Sequence, residues 1–172
     1  MKASTTLLVS FILMAAITAS AQNKSLFERL GGKPAITAVV DEFVTRCVID
    51  KRINKKFAKS DAPRLKAMLV DQICNASGGG CTYNGRDMKT AHQNMGVTDA
   101  EFGALVENLV GALDKFKVQQ TEKDELLKLL APMKPAIVEV NSKETGTPLP
   151  TGFKPAPSLK QMRMEQEKKK NN

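Results

Sequence analysis

Residues Thr82 to Thr98 read Thr-Tyr-Asn-Gly-Arg-Asp-Met-Lys-Thr-Ala-His-Gln-Asn-Met-Gly-Val-Thr and carry the only histidine in a chain of 172 residues. Side chains three and four apart share a helical face, so Met88, Ala91, His92 and Met95 form one stripe on a short helix. Gly96 is placed to stop that helix, and Thr98 with Glu101 forms the capping box of the next. His92 is thus an imidazole on a mostly apolar, inward face. Such a histidine is either a satisfied core residue or the ligand of a metal held in an apolar pocket, and this stretch alone leaves both open.

The same spacing recurs on either side. Ser25 and Glu28 make a capping box for a short first helix that ends at Gly31-Gly32. Pro34 suits the first turn of a second helix reaching about Ile49, with Ile36, Val39, Val40, Phe43 and Cys47 on one face. Residues 51–61 are basic and irregular, with Phe57 as their one large apolar side chain. A third helix from Pro63 to about Ala76 presents Leu65, Met68, Leu69, Gln72 and Ile73, and Gly78-Gly79-Gly80 ends it. Thr98 opens a helix through about Lys115 whose apolar face is Phe102, Leu105, Val106, Leu109 and Leu113. Thr121 is expected to cap a last helix bearing Leu126, Leu127, Leu130 and Met133, interrupted at Pro132 and Pro135. No alternating pattern appears, so the class is all-α.

Met1 to Ala21 stand apart. Lys2, the apolar run Leu7 to Ile17 and Ala19-Ser20-Ala21 have the form of a secretory signal peptide, with too short a run to span a bilayer. An exported, periplasmic or secreted protein is expected. Residues 22–140 then form one helical domain, and 141–172 a basic tail with too little apolar surface to offset its ordering entropy. The formal charge of +8 divides accordingly. Seven Lys and Arg against three Glu give the tail +4, Lys2 contributes one, and residues 22–142 keep +3. No aromatic or arginine pattern accompanies that modest surplus, so nucleic acid is not expected as a partner.

Three cysteines bound the chemistry further. Cys74 and Cys81 flank the triple glycine and suit a disulfide in an exported protein, with a redox-active pair as the competing reading. Cys47 falls on a buried helical face. One histidine and scattered cysteines do not make a zinc site, and nothing pairs His92 with a serine and a carboxylate at triad spacing. Without Cys-x-x-Cys-His there is no motif for c-type haem attachment.

Tyr83, Gly85, Arg86, Asp87, Met88, Lys89, Ala91, His92, Met95 and Gly96 together resemble the proximal-histidine signature of the group 1 truncated haemoglobins. Ser25-Leu26-Phe27-Glu28-Arg29-Leu30-Gly31-Gly32 and Gly78-Gly79 resemble that family's other motifs, and the likeness runs from about Ser25 to Val138. The resemblance implies a 2-on-2 helical sandwich around non-covalent haem b, with His92 as proximal iron ligand. It implies a pocket of Phe43, Phe57, Leu65, Met68, Leu69, Met88, Met95 and Phe102, with Arg86 and Lys89 within reach of the haem propionates.

The chain departs from the family above the iron. Many members place a tyrosine where this chain has Val44, and glutamines at the positions of Leu65 and Leu69; Gln72 is a candidate substitute donor. Met68 matches a position where some members offer a second iron ligand, against which stands simple packing. Two readings follow. One is a monomeric, reversible binder of a diatomic gas, oxygen or nitric oxide. The other is a redox protein, transferring electrons or converting nitric oxide with oxygen to nitrate, which needs an external reductase partner.

Overall fold

The computed structural model describes residues 24–170, so the apolar leader lies outside the described residues. Helices α1 (Leu26–Arg29), α2 (Gly32–Ile49), α3 (Asn54–Phe57), α4 (Ala62–Ala76), α5 (Met88–His92), α6 (Asp99–Lys115), α7 (Gln120–Leu130), α8 (Lys134–Ile137) and α9 (Leu159–Lys170) follow in order. Among the described residues the extended pairing is a single parallel bridge between Thr98 and Val140. The class is all-α.

Local chemistry sets most of these boundaries. Ser25 and Glu28 form the expected capping box on α1, and Thr98 and Glu101 form one on α6. Gly31 sits at φ +92°, in the left-handed region, and a Cβ there would come within 2.8 Å of Ala35 Cβ. Gly79 lets the chain pass against Phe27 and the Cys74 sulfur, which a Cβ would approach to 2.6 Å. Thr121 does not cap α7: the cap position is Gln119, with no side-chain hydrogen bond, and Thr121 lies within the first turn. A 3-10 turn at Ala131–Met133 follows α7, where prolines remove the amides a continuous helix needs.

Helix α2 is the spine, packed on α4 and on α6. Its Ile36, Val39, Val40, Phe43, Val44 and Cys47 are buried against Val70 and Ile73 of α4 and Ala104, Leu109, Ala112 and Leu113 of α6. Cys74 and Cys81 are joined by a disulfide that ties the C-terminal end of α4 to the start of the following loop.

One polar knot lies inside this apolar frame. Lys56 is 4% exposed and Glu101 2%, and the Lys56 ammonium stands 3.5 Å from the Glu101 carboxylate. Lys56 Nζ also donates to the carbonyls of Met95 (2.8 Å), Gly96 (3.0 Å) and Pro148 (3.3 Å). Glu101 in turn accepts from the Thr98 amide and from both the amide and the hydroxyl of Thr147.

That knot changes the reading of the C-terminal segment. Residues 141–158, expected as part of a tail, run as a strap along the domain. Ala100 N–H donates to Ser142 O, Thr98 Oγ1 to Glu144 O, and Gly146 N–H to Arg52 O. The anchors are polar and backbone groups rather than apolar side chains, so composition gave no sign of them. Beyond the strap, α9 carries Lys168-Lys169-Lys170 in its last turn, with no buried residue.

Glu101→Ala would leave the Lys56 ammonium buried without its carboxylate. The expected loss is about 3–5 kcal/mol of stability, measured as a lower urea midpoint at unchanged slope. Lys56→Met combined with Glu101→Leu should recover part of it. A single variant as stable as the parent would show that the pair is not structural.

Candidate functional site

Helices α2, α4, α5 and α6 enclose a cavity of about 430 Å³, within the ~300–1,000 Å³ typical of small-molecule and cofactor sites. Phe43 comes from α2 and Phe57 from α3. Helix α4 contributes Leu65, Met68, Leu69 and Gln72, α5 contributes Met88, Ala91 and His92, and α6 contributes Phe102, Leu105 and Val106. Met95 and Arg86 reach the same space from the turns flanking α5. The sequence pattern therefore brings nearly all its candidates to one place. Lys89 is the exception: it is exposed and outside the cavity wall, because it stands one position beyond the stripe of Met88, Ala91 and His92. Val44 is buried in the core and is likewise outside the wall.

His92 is held by its own helix. Its Nδ1 lies 2.8 Å from the Met88 carbonyl oxygen, and because a carbonyl only accepts, Nδ1 must carry the proton. That fixes the tautomer and leaves Nε2 with its lone pair free for a metal. Burial pushes the imidazole below its ordinary pKa, the Met88 hydrogen bond opposes this, nearby Arg86 adds to the lowering and Glu139 opposes it. The ring therefore stays neutral at lower pH than an exposed histidine, as a metal ligand must.

The end of this helix differs from expectation. Helix α5 stops at His92, before Gly96, and Asn94 takes φ 61° and Gly96 φ 62°. Glu139 is the cause: its carboxylate accepts from the Asn94 amide (2.7 Å) and the Gly96 amide (2.6 Å). A residue some forty positions away thus draws the turn after His92 out of the helix and carries Met95 with it.

Other cavity residues escaped the sequence reading. Arg64 lies one helical turn before Met68 on the same stripe and was findable there. Tyr83 lines the wall, its hydroxyl donating to Arg86 O at 2.8 Å. Phe153, Pro155 and Ala156 of the strap also line it, and Phe153 is the only large aromatic residue after residue 141. Gln72 is in the wall, but its amide nitrogen is engaged by the sulfurs of Met88 (3.4 Å) and Met133 (3.3 Å). Its donor is therefore occupied toward α5, the helix of His92. Among the described residues no group of three or more His, Cys, Asp or Glu is placed to hold a metal ion.

The comparisons with known proteins agree with this architecture. The family model described as bacterial-like globin matches residues 25–139. The group 1 truncated hemoglobin GlbN of Mycolicibacterium paratuberculosis is 33% identical over 117 residues, which cover 68% of this chain and 86% of that one. The GlbN of a Synechocystis species is 34% identical over 100 residues, 56% of this chain and 81% of the relative. Among solved structures, the truncated hemoglobin of Tetrahymena pyriformis in its Fe(III) form aligns at TM-score 0.65 and 26% identity, over 68% of this chain and all of that one. The 2/2 hemoglobin of a Synechococcus species, in the cyanomet state with covalently attached heme, aligns at TM-score 0.64 and 32% identity, over 67% of this chain and 98% of that one. The chain belongs to the bacterial-like globins, and within them to the group 1 truncated haemoglobins. Its fold is the 2-on-2 helical sandwich of that family, and membership implies a haem-binding globin.

The lowered His92 pKa has a consequence for stability. The unfolded chain takes up a proton at the ordinary histidine pKa, whereas the folded site resists it. Stability should therefore fall as pH drops from about 7.5 to about 5.5, through the ordinary histidine value of about 6.5. Urea unfolding of the haem-free protein at both pH values should show this decrease, and His92→Gln should show a smaller one. Equal decreases in the two proteins would remove His92 as the cause.

Proposed function

We propose that this globin binds haem b non-covalently through His92 and takes up a diatomic gas on the opposite face. The observation that carries the reading is the His92 ring, set in an apolar cavity with Nδ1 tied to the Met88 carbonyl. When bound, haem would supply an iron that needs one protein nitrogen, from His92, and can take up a gas. The residues present fit that group: a single neutral imidazole completes the iron's protein ligation, and apolar side chains from four helices accept the flat ring. Arg64 and Arg86, both cavity residues, supply cations for the propionates. Cys74 and Cys81 are paired with each other, and Cys47 is buried outside the cavity wall, so no thiol lies ready for a thioether link. The disulfide supports an oxidising compartment, and with it export.

On the gas side the chain offers little polarity. Phe43, Leu65 and Leu69 have no donor group. A hydrogen-bond donor beside dioxygen contributes about 1 kcal/mol to its retention, so this roof favours ligands that need no donor, such as nitric oxide and carbon monoxide. Met68 supports a second reading. Its thioether lines the cavity, and a methionine facing a histidine across haem raises the iron's potential. That arrangement suits electron transfer, or nitric oxide conversion with a reductase.

Absorption spectra of residues 22–172 with haem, ferric, ferrous and ferrous with carbon monoxide, test both readings. One haem per chain, lost in His92→Ala, is expected; absence of uptake, or uptake indifferent to that change, would return His92 to a structural role. A five-coordinate ferrous form supports gas binding. A six-coordinate one that Met68→Ala converts to five-coordinate supports the redox reading. Leu65→Gln, which adds a donor, should slow oxygen dissociation about five- to tenfold, as read by stopped flow.

A further inference from the structure

The strap reaches the cavity from outside the globin match. That match ends at residue 139, yet Phe153, Pro155 and Ala156 stand in the wall of the same cavity as Phe57, Asp61 and Arg64. Both ends of the strap are fastened. Before the wall residues, Thr147 donates its amide (2.8 Å) and hydroxyl (2.7 Å) to the buried Glu101 carboxylate, and Lys56 Nζ donates to Pro148 O. Gly146 enters this anchor at φ +67°, where a Cβ would stand 2.9 Å from Lys51 O. Pro150 then packs toward Gly96, close to the turn that follows His92. After the wall residues, α9 returns along the start of α4, with Arg64 Nε donating to the Met162 sulfur at 3.0 Å. The segment therefore crosses from the turn behind His92 to the first turn of α4, laying Phe153 on the cavity between them.

We propose that residues 141–158 are a working wall of the haem site, with Phe153 packed against the haem and the Thr147–Glu101 bonds as the fastening that keeps haem from leaving. The proposal rests on the haem-binding reading. An apolar ring at the cavity edge shields haem from water and must be displaced before haem can escape. The two Thr147 bonds hold the strap down through a carboxylate that is itself buried and already fixed by Lys56 and Thr98. The strap thus adds retention without adding an iron ligand.

The test is haem loss from the full chain to an excess of a haem-free globin scavenger, followed by the colour change on transfer. Phe153→Ala and Thr147→Val are each expected to lose haem about tenfold faster than the parent, the size expected from one buried aromatic contact or its fastening. Phe153→Leu should restore most of the parent rate. Urea midpoints of the haem-free proteins separate retention from folding: Phe153→Ala should unfold with the parent. Haem loss from both variants at the parent rate would overturn the proposal while leaving the haem-binding reading intact. Failure of the parent to take up haem would overturn both, and is seen before any variant is compared.

Discussion

A buried ammonium and carboxylate hold this globin's working parts in register. Lys56 comes from the short helix between the first two long ones, Glu101 from the first turn of α6. Around them converge the turn that follows His92, the capping box of α6 and the C-terminal strap. Ion pairs this deep contribute little net stability, because removing both charges from water costs about as much as their attraction returns. Their value here is directional. Lys56 donates to three backbone carbonyls and Glu101 accepts from two amides and a hydroxyl, so the pair ties four segments of the chain to one point.

Within that frame the division of labour is chemical. Helices α2, α4 and α6 supply shape and dryness; α5 supplies one nitrogen. The nitrogen is prepared by its neighbours rather than by its own type. The Met88 carbonyl dictates which ring nitrogen bears the proton, burial keeps the ring neutral, and Glu139 fixes the turn behind it. A histidine placed in the same sequence motif but without these three constraints would be free to rotate, to protonate, or to remain in a longer helix. Phe43, Leu65 and Leu69 of the same cavity wall have neither donor nor acceptor in their side chains.

Much of this was readable from the chain. Helical spacing placed Leu65, Met68 and Leu69 on one stripe and Met88, Ala91 and His92 on another, and in the structure both stripes face one cavity. Capping chemistry located α1 and α6, because Ser25 with Glu28 and Thr98 with Glu101 act over three residues. What stayed hidden depends on contacts between distant positions. Glu139 gives no local sign that it will end α5, Lys56 looks like any lysine in a basic stretch, and Thr147 belongs to a segment whose composition suggests a tail. Lys89 stands outside the wall for the opposite reason: the family signature includes it, while on a five-residue helix it is exposed.

Synthesis runs from the N-terminus, and chains tend to organise in that order. Helices α2, α4, α5 and α6 of the cavity wall are all in place once α6 has been made, but the turn behind His92 depends on Glu139 and the buried lysine's third carbonyl on Pro148. The imidazole is thus made well before the residue that fixes the turn behind it. A nascent chain that ends before Glu139 would own the long helices of the cavity and still hold its histidine on an unfinished turn, so the short segment after α7 is the last fitting of the site.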